Sequence, residues 1–554
     1  MVRIICLILL SWFLTVPLKA NAAERVFLVT GRTLYVTGEA IEFSAFVSDD
    51  LLKSKSIDEA EPLLSKVLYV EVISPAGESI SRGKFILKRQ KSEGALPIPD
   101  EAVTGYYYLR AYTKAMRNAG PATYTFLLVR IVNPYKDEVL PGTGKPLRID
   151  STQTAGGSNY TVSLNKRSFN AGEPVEFTLQ PEAGNHADLV ALTVVPELTF
   201  NALQYFKPLA VDSTTYGFHC RENAGLSISG VMRDETSGTV VAEKDINLSV
   251  IGKGQDFISG KTDDAGRFNF ALPAITGERD LYLSPEITRG SHIRVLIDND
   301  FCNIRVKLPA PAFSLSEKEK AVVLKLAANA TISNTYNTTG KQVNMHGTPI
   351  DNSPFYGTPD QVLLLEKYIQ LPTLEEYFNE IPALAKVRKS GGKKIIRVMG
   401  LQPEMGTYAP LVLIDQVAVN EPDRILAASP SNVERIEIIN RPYLKGDKLY
   451  GGLVSIISRK GDFAGIDLPA SGTFINYRFF NPGIAGSFTP DPATPDARNT
   501  LFFKSYTQPA GNEPAVYSFI TPETPGVYEI IVVSPGPDGE MSVSRRAFEV
   551  VSFE

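Results

Sequence analysis

The chain has 554 residues, 43% of them hydrophobic and 21% charged, and a formal net charge of −5. A length far above the roughly 100–150 residues of a common domain excludes a single core, and this balance excludes intrinsic disorder and an electrostatic footprint for nucleic acid. The 42 Gly, 38 Pro, 23 Tyr and 28 Phe favour many short strands joined by turns.

Residues 1–22 read as a secretory signal. Arg3 supplies the positive start, residues 4–14 are apolar apart from Ser11, and Ala20, Asn21 and Ala22 give the small-x-small cleavage pattern. The apolar run is too short to span a bilayer comfortably, and no later stretch is long and apolar enough for a transmembrane helix. Removal takes away Arg3 and Lys19 and no acid, so the formal charge moves from −5 to −7. The mature chain is expected in the periplasm, with an outer-membrane association left open. Two cysteines remain there, Cys220 and Cys302. In an oxidising compartment they either form one disulfide or stay as separate buried thiols, and sequence gives no distance between them.

Residues 24–135 read as a β-sandwich. A Gly-containing turn in YVTGEAIEFSAFV (35–47) precedes alternation at Ile41, Phe43, Ala45 and Val47. Further strands are expected at 67–73, 105–112 and 124–132. Tyr106, Tyr107 and Tyr108 alternate faces in a strand, so packing accounts for them better than a ligand platform does. The order LYVTGEAIEFSAFV, LYVEVISPAGESI, GYYYLRAY resembles the macroglobulin-type (MG2-like) domain of alpha-macroglobulin-like proteins. A linker near 140–157 leads to a second sandwich of that type at 157–224, where YTVSL and FNAGEPVEF repeat the strand, Gly-Glu turn, strand logic.

Residues 226–308 hold SGVMRD, INLSVIG and KTDDAGRFNF, which are similar to the carboxypeptidase-regulatory-like domain, a seven-stranded sandwich. Asp263 and Asp264 lack the spacing of a calcium loop and read as a tight turn. Residues 309–360 form a linker with helical composition at 314–328, where Ser314 and Ser316 are candidate caps. From 361 to 465 a helix at 374–381, capped by Thr373 with Glu376 three residues on, is followed by strands at 394–399, 411–419, 433–439 and 450–457. The motifs LVLIDQV, ILAASPSNVERIEIIN and YGGLVSIISRKG, in that order, resemble the plug of TonB-dependent outer-membrane receptors, in which Gly commonly stands where Gln416 does. A receptor barrel needs about 22 strands of roughly 9–11 residues, and only 93 residues follow Gly461. Those residues, at 471–554, read as a C-terminal β-sandwich with a hairpin turn in PGPDG. The fold class expected is mainly β with one α+β unit: tandem β-sandwiches, then a plug-like α+β domain, then a C-terminal β-sandwich.

No constellation supports an enzyme. His186, His219, His292 and His346 are scattered, and none sits at metal-ligand spacing with another. His219 and Cys220 are adjacent, and neighbours in a strand point to opposite faces. Cys220-Arg-Glu-Asn lacks the Gly and Gln of an alpha-macroglobulin thioester, so the resemblance carries no thioester chemistry. No cofactor site is expected. What the resemblances imply is a non-enzymatic exported scaffold whose plug-like domain docks an outer-membrane barrel or its complex; the alternative is an accessory of TonB-dependent transport. The loop 442–448, with Lys445, Asp447 and Lys448, is the candidate docking loop, against the plainer reading of a solvated turn.

Overall fold

The computed structural model describes residues 24–49, 64–142, 160–182, 190–213, 216–252, 256–286, 292–337, 353–400, 402–419, 421–446, 448–469, 471–483, 494–506, 513–535 and 541–552. The signal segment, His186, His346 and Asp447 lie outside them. The architecture is mainly β.

Ile41, Phe43, Ala45 and Val47 are fully buried along the strand Ala40–Asp49, as their alternation requires. That strand sits between Glu24–Thr30 and Lys91–Pro97 in a three-stranded sheet. The facing sheet runs in the order Tyr205–Phe206, Thr125–Val132, Gly105–Tyr112, Val67–Ile73 and Ser79–Ile86, with Leu34–Val36 added in parallel to Thr125–Val132. Gly38 makes the turn between Leu34–Val36 and Ala40–Asp49 at φ 80°. Tyr106, Tyr107 and Tyr108 are all buried, so packing claims all three. Tyr107 and Tyr108 donate their hydroxyls to the carbonyls of Val103 (2.8 Å) and Pro309 (2.6 Å).

The second sandwich departs from the sequence reading. Separate sandwiches are expected at 157–224 and 471–554, yet strands from both regions build one pair of sheets. One sheet runs Ser168–Asn170, Met541–Val551, Gly526–Pro535, Val190–Pro196 and Phe502–Tyr506. The other runs Ala515–Ile520, Pro174–Pro181 and Tyr160–Leu164. Phe169, Phe177, Leu192, Val194, Tyr528 and Phe548 share its core. The physical reason is that neither segment alone supplies two sheets that cover each other's apolar faces.

The third unit also borrows a strand. Ser227–Asp234, Arg267–Ala271 and Ile293–Ile297 form one sheet. Asp256–Lys261, Asp245–Ile251 and Glu278–Pro285 form the other, completed by Thr473–Arg478. The helix Glu317–Asn337 starts at Ser316, whose hydroxyl accepts from the Glu319 amide while the Glu319 carboxylate accepts from the Ser316 amide. It runs past the expected end at 328 because Val323, Leu326 and Ala330 pack on Leu34, Val36 and Val132 of the first sandwich.

Residues 361–465 form an α+β unit. Its sheet runs Gln361–Leu364, Val433–Ile439, Leu453–Ser458, Leu411–Ile414 and Val417–Ala418, with Leu411–Ile414 parallel to Leu453–Ser458. The helix Leu374–Glu380 is capped by Thr373, whose side chain accepts from the Glu376 amide at 3.2 Å. Asp415 and Gln416 form the turn after Leu411–Ile414, both at positive φ (44° and 69°). A left-handed Gln explains why Gly suits that position. The Asp415 carboxylate holds the turn by accepting from the amides of Ser458 and Phe463.

Candidate functional site

The α+β unit meets the third sandwich through a short hairpin, Tyr443–Lys445 and Lys448–Tyr450. Gly446 sits at its tip with φ 61°, and a Cβ there would lie 2.7 Å from the Ser259 carbonyl oxygen. Both the turn and the close approach therefore require glycine. Lys445 Nζ reaches Asp256 Oδ1 at 2.8 Å. Lys448 Nζ reaches Asp245 Oδ2 at 2.6 Å and Glu286 Oε2 at 2.8 Å. The three acids stand at strand ends of one sheet, and the Glu286 amide donates to the Asp245 carbonyl.

Electrostatics favour the charged clamp. Partial burial opposes the charge on Lys448, but its hydrogen bonds to Asp245 and Glu286 outweigh that and raise its pKa above the ordinary ammonium value. Burial likewise opposes the charge on Asp245, and the hydrogen bond from Lys448 outweighs it, so its pKa is lowered. Beneath the ion pairs Phe257 is fully buried with Tyr356, Leu411, Leu413, Ile439 and Leu453. Its ring stacks on Phe355 at 5.8 Å. The Tyr356 hydroxyl donates to Glu437 Oε2 (2.6 Å), whose other oxygen accepts from Arg435 Nε at 2.7 Å.

Lys445 and Lys448, offered by the sequence as docking residues for another protein, are thus engaged within the chain. Their partners Asp245, Asp256 and Glu286 escape sequence reasoning, because exposed-looking acids at strand ends carry no local signal of a distant lysine.

A second constellation joins the first sandwich to the third. Arg110 and Glu71, both buried, pair at 2.7 Å. The Tyr112 hydroxyl donates to the same Glu71 oxygen and accepts from the Cys302 amide (2.7 Å). Glu222 accepts from the Tyr69 hydroxyl and from the Ser227 amide and hydroxyl, with Lys114 Nζ at 3.5 Å. Burial raises the Glu222 pKa against the pull of Lys114. Lys84 pairs with Asp300, donates to the Arg478 carbonyl (2.6 Å) and lies 3.8 Å from the Tyr477 ring centroid. Buried charges so paired fix one arrangement of the units, since loss of either partner would leave the other unpaired in low dielectric.

Beside this network lies a cleft of about 700 Å³ lined by Arg117, Tyr124, His219, Asp298, Cys302 and Arg305 among others. His219 is held there by Asn118, through reciprocal bonds to its amide (2.8 Å) and carbonyl (2.9 Å). Its pKa is lowered to about 4, by burial first and then by Arg117 and Lys114. Cys220 and Cys302 are both free thiols, the first exposed and the second buried, so the disulfide left open by the sequence is not formed. His219 shares the cleft with Cys302; its neighbour in sequence, Cys220, is not among the lining residues. Among the described residues, no group of three or more His, Cys, Asp or Glu is placed to hold a metal ion.

Comparison with known proteins adds to this geometry. A search of curated proteins returned no match. Among solved structures, the chain is similar to a mutant of Salmonella alpha-2-macroglobulin at 8% identity, covering 96% of this chain and 40% of that one, with a TM-score of 0.23. Escherichia coli alpha-2-macroglobulin in its native conformation gives 10% identity, 96% and 40% coverage and the same TM-score of 0.23. The Escherichia coli adhesin FdeC gives 12% identity over 50% of this chain and 64% of that one, with a TM-score of 0.14. The chain thus spans about 40% of the length of the macroglobulin structures it matches, and no residue correspondence follows from such scores. Within the chain, residues 25–128, which supply most of the first sandwich, match the MG2 domain family.

Proposed function

We propose that this chain is an exported, non-enzymatic scaffold that presents its plug-like α+β unit to a partner at the outer membrane. The observation that carries this reading is the clamp. Lys445 and Lys448 pin the α+β unit to the third sandwich over an apolar contact centred on Phe257. The buried Lys84–Asp300 pair, with the Cys302 backbone bonded to Arg110 and to the Tyr112 hydroxyl, in turn holds the third sandwich on the first. A chain of modules fixed in this way displays one unit in a constant orientation, which lowers the ordering cost of binding. The MG2 match accords with a β-sandwich scaffold, and the sequence motifs of 410–461 supply the plug-like resemblance.

The test is affinity purification of the tagged protein from detergent-solubilised envelopes, with partners identified by mass spectrometry. Recovery of one outer-membrane barrel in near-equal amount is the expected result. Recovery of the protein alone from the soluble fraction contradicts the proposal.

A further inference from the structure

The α+β unit carries a second basic hairpin, which the clamp leaves unused. Its strands are Ala385–Ser390 and Lys393–Val398. Residues 381–403 contain six Lys or Arg and no Asp or Glu. Ala385, Val387, Ile396 and Val398 are buried in the core of the unit. Strand alternation then places Lys386, Arg388, Ile395 and Arg397 on the other face.

That face is electrostatically incomplete. Lys386 stands opposite Arg397 on that face, while at the tip Lys389 stands opposite Lys394 on the side of Val387 and Ile396, and like charges across a ribbon repel. Lys394 has a counter-charge, Glu375, at 2.6 Å. Lys386 Nζ donates to the carbonyl of Asn379, and Arg397 Nη1 to those of Gly406 and Tyr408. Arg388 and Lys389 are exposed at the tip. Among the described residues no carboxylate pairs with Lys386, Arg388, Lys389 or Arg397. Met399, on the same side as Arg397, is 50% exposed, and Tyr408, whose carbonyl accepts from Arg397, is 44% exposed.

The chemistry of an occupant is written elsewhere in the molecule. The hairpin 443–450 satisfies its lysines on three carboxylates at the strand ends of a β-sheet. Arginine, methionine and tyrosine around an isoleucine is the composition of protein interface cores. We infer that the hairpin 385–398 is a docking surface for a partner protein that presents a cluster of carboxylates on a β-sheet surface. This rests on the reading that the plug-like unit docks a partner, and it names the surface used and the charge of what binds.

The test places the photoreactive residue benzoylphenylalanine at position 395 of the full chain and irradiates native envelopes. The expected result is a single adduct with another protein, at a peptide containing at least two Asp or Glu. The adduct falls at least tenfold when Arg388→Glu and Lys389→Glu are combined, with the melting temperature not lowered. An adduct with lipid or with a second copy of this chain overturns the inference, as does one that survives the charge reversal. If affinity purification recovers a partner that position 395 does not label, the hairpin assignment is wrong and the docking reading stands. If no partner is recovered at all, the docking reading itself fails and this inference fails with it.

Discussion

Two hairpins of the same α+β unit make an instructive contrast. Both are short antiparallel ribbons turned at glycine and rich in lysine. The hairpin 443–450 spends its cations on Asp245, Asp256 and Glu286 of the neighbouring sandwich. The hairpin 385–398 keeps Lys386, Arg388 and Arg397 on backbone carbonyls, without a described carboxylate partner. Basic sequence alone therefore says nothing about whether a loop is free to bind. What decides is whether the fold brings acids to it, and that depends on contacts 189 and 203 residues apart in the chain.

The contrast can be broken at its base first. Phe257 is fully buried between the third sandwich and the α+β unit. Phe257→Ala should cost about 3–4 kcal/mol at that contact, and calorimetry should then resolve a separate, earlier transition for residues 361–465. A single unshifted transition would mean that the contact contributes little. Lys448→Glu comes next. It faces Asp245 and Glu286 with a like charge in a site about one-third exposed, and should cost roughly 2 kcal/mol after solvent screening. Limited proteolysis should show the α+β unit loosened from the rest.

The pH dependence of the clamp sharpens the difference between the hairpins. Asp245 has a folded pKa below its ordinary value of 3.8, so its contribution is present above 3.8 and is lost as pH falls through the folded value. Lys448 has a folded pKa above 10.5, so its contribution is present below 10.5 and is lost as pH rises through the folded value. Unit-to-unit docking should therefore hold between these limits and weaken at both ends. Lys448→Met should remove the alkaline arm, which melting curves across pH would reveal. The smallest effect belongs to the open hairpin. Lys389→Glu removes repulsion from Lys394 across the ribbon and should stabilise by a few tenths of a kcal/mol, within reach of chemical denaturation.

The local chemistry of the fold is legible in the sequence. The Gly turn at Gly38, the Ser316 and Thr373 caps, and the strand period around Ile41 all follow from residue type and spacing. Pairings between distant segments are not. Strand Val190–Pro196 lies between Gly526–Pro535 and Phe502–Tyr506, and nothing in VALTVVP distinguishes a nearby partner from one more than three hundred residues away. The same holds for Thr473–Arg478, which completes the third unit. At the clamp, Lys445 and Lys448 stand out in the sequence as charges on a turn, but their meaning lies in acids of another module. Gly446 is the one local hint, since a glycine with no room for a Cβ marks a backbone pressed against a neighbour.

Lysine reactivity measures the contrast most directly. The full chain is treated with a limiting amine-acylating reagent, and each lysine's labelling rate is read by peptide mass spectrometry. Lys389 should label fast and Lys445 and Lys448 slowly, with the latter two accelerated by Phe257→Ala. Equal rates at all three lysines would contradict the clamp and the division of roles between the two hairpins.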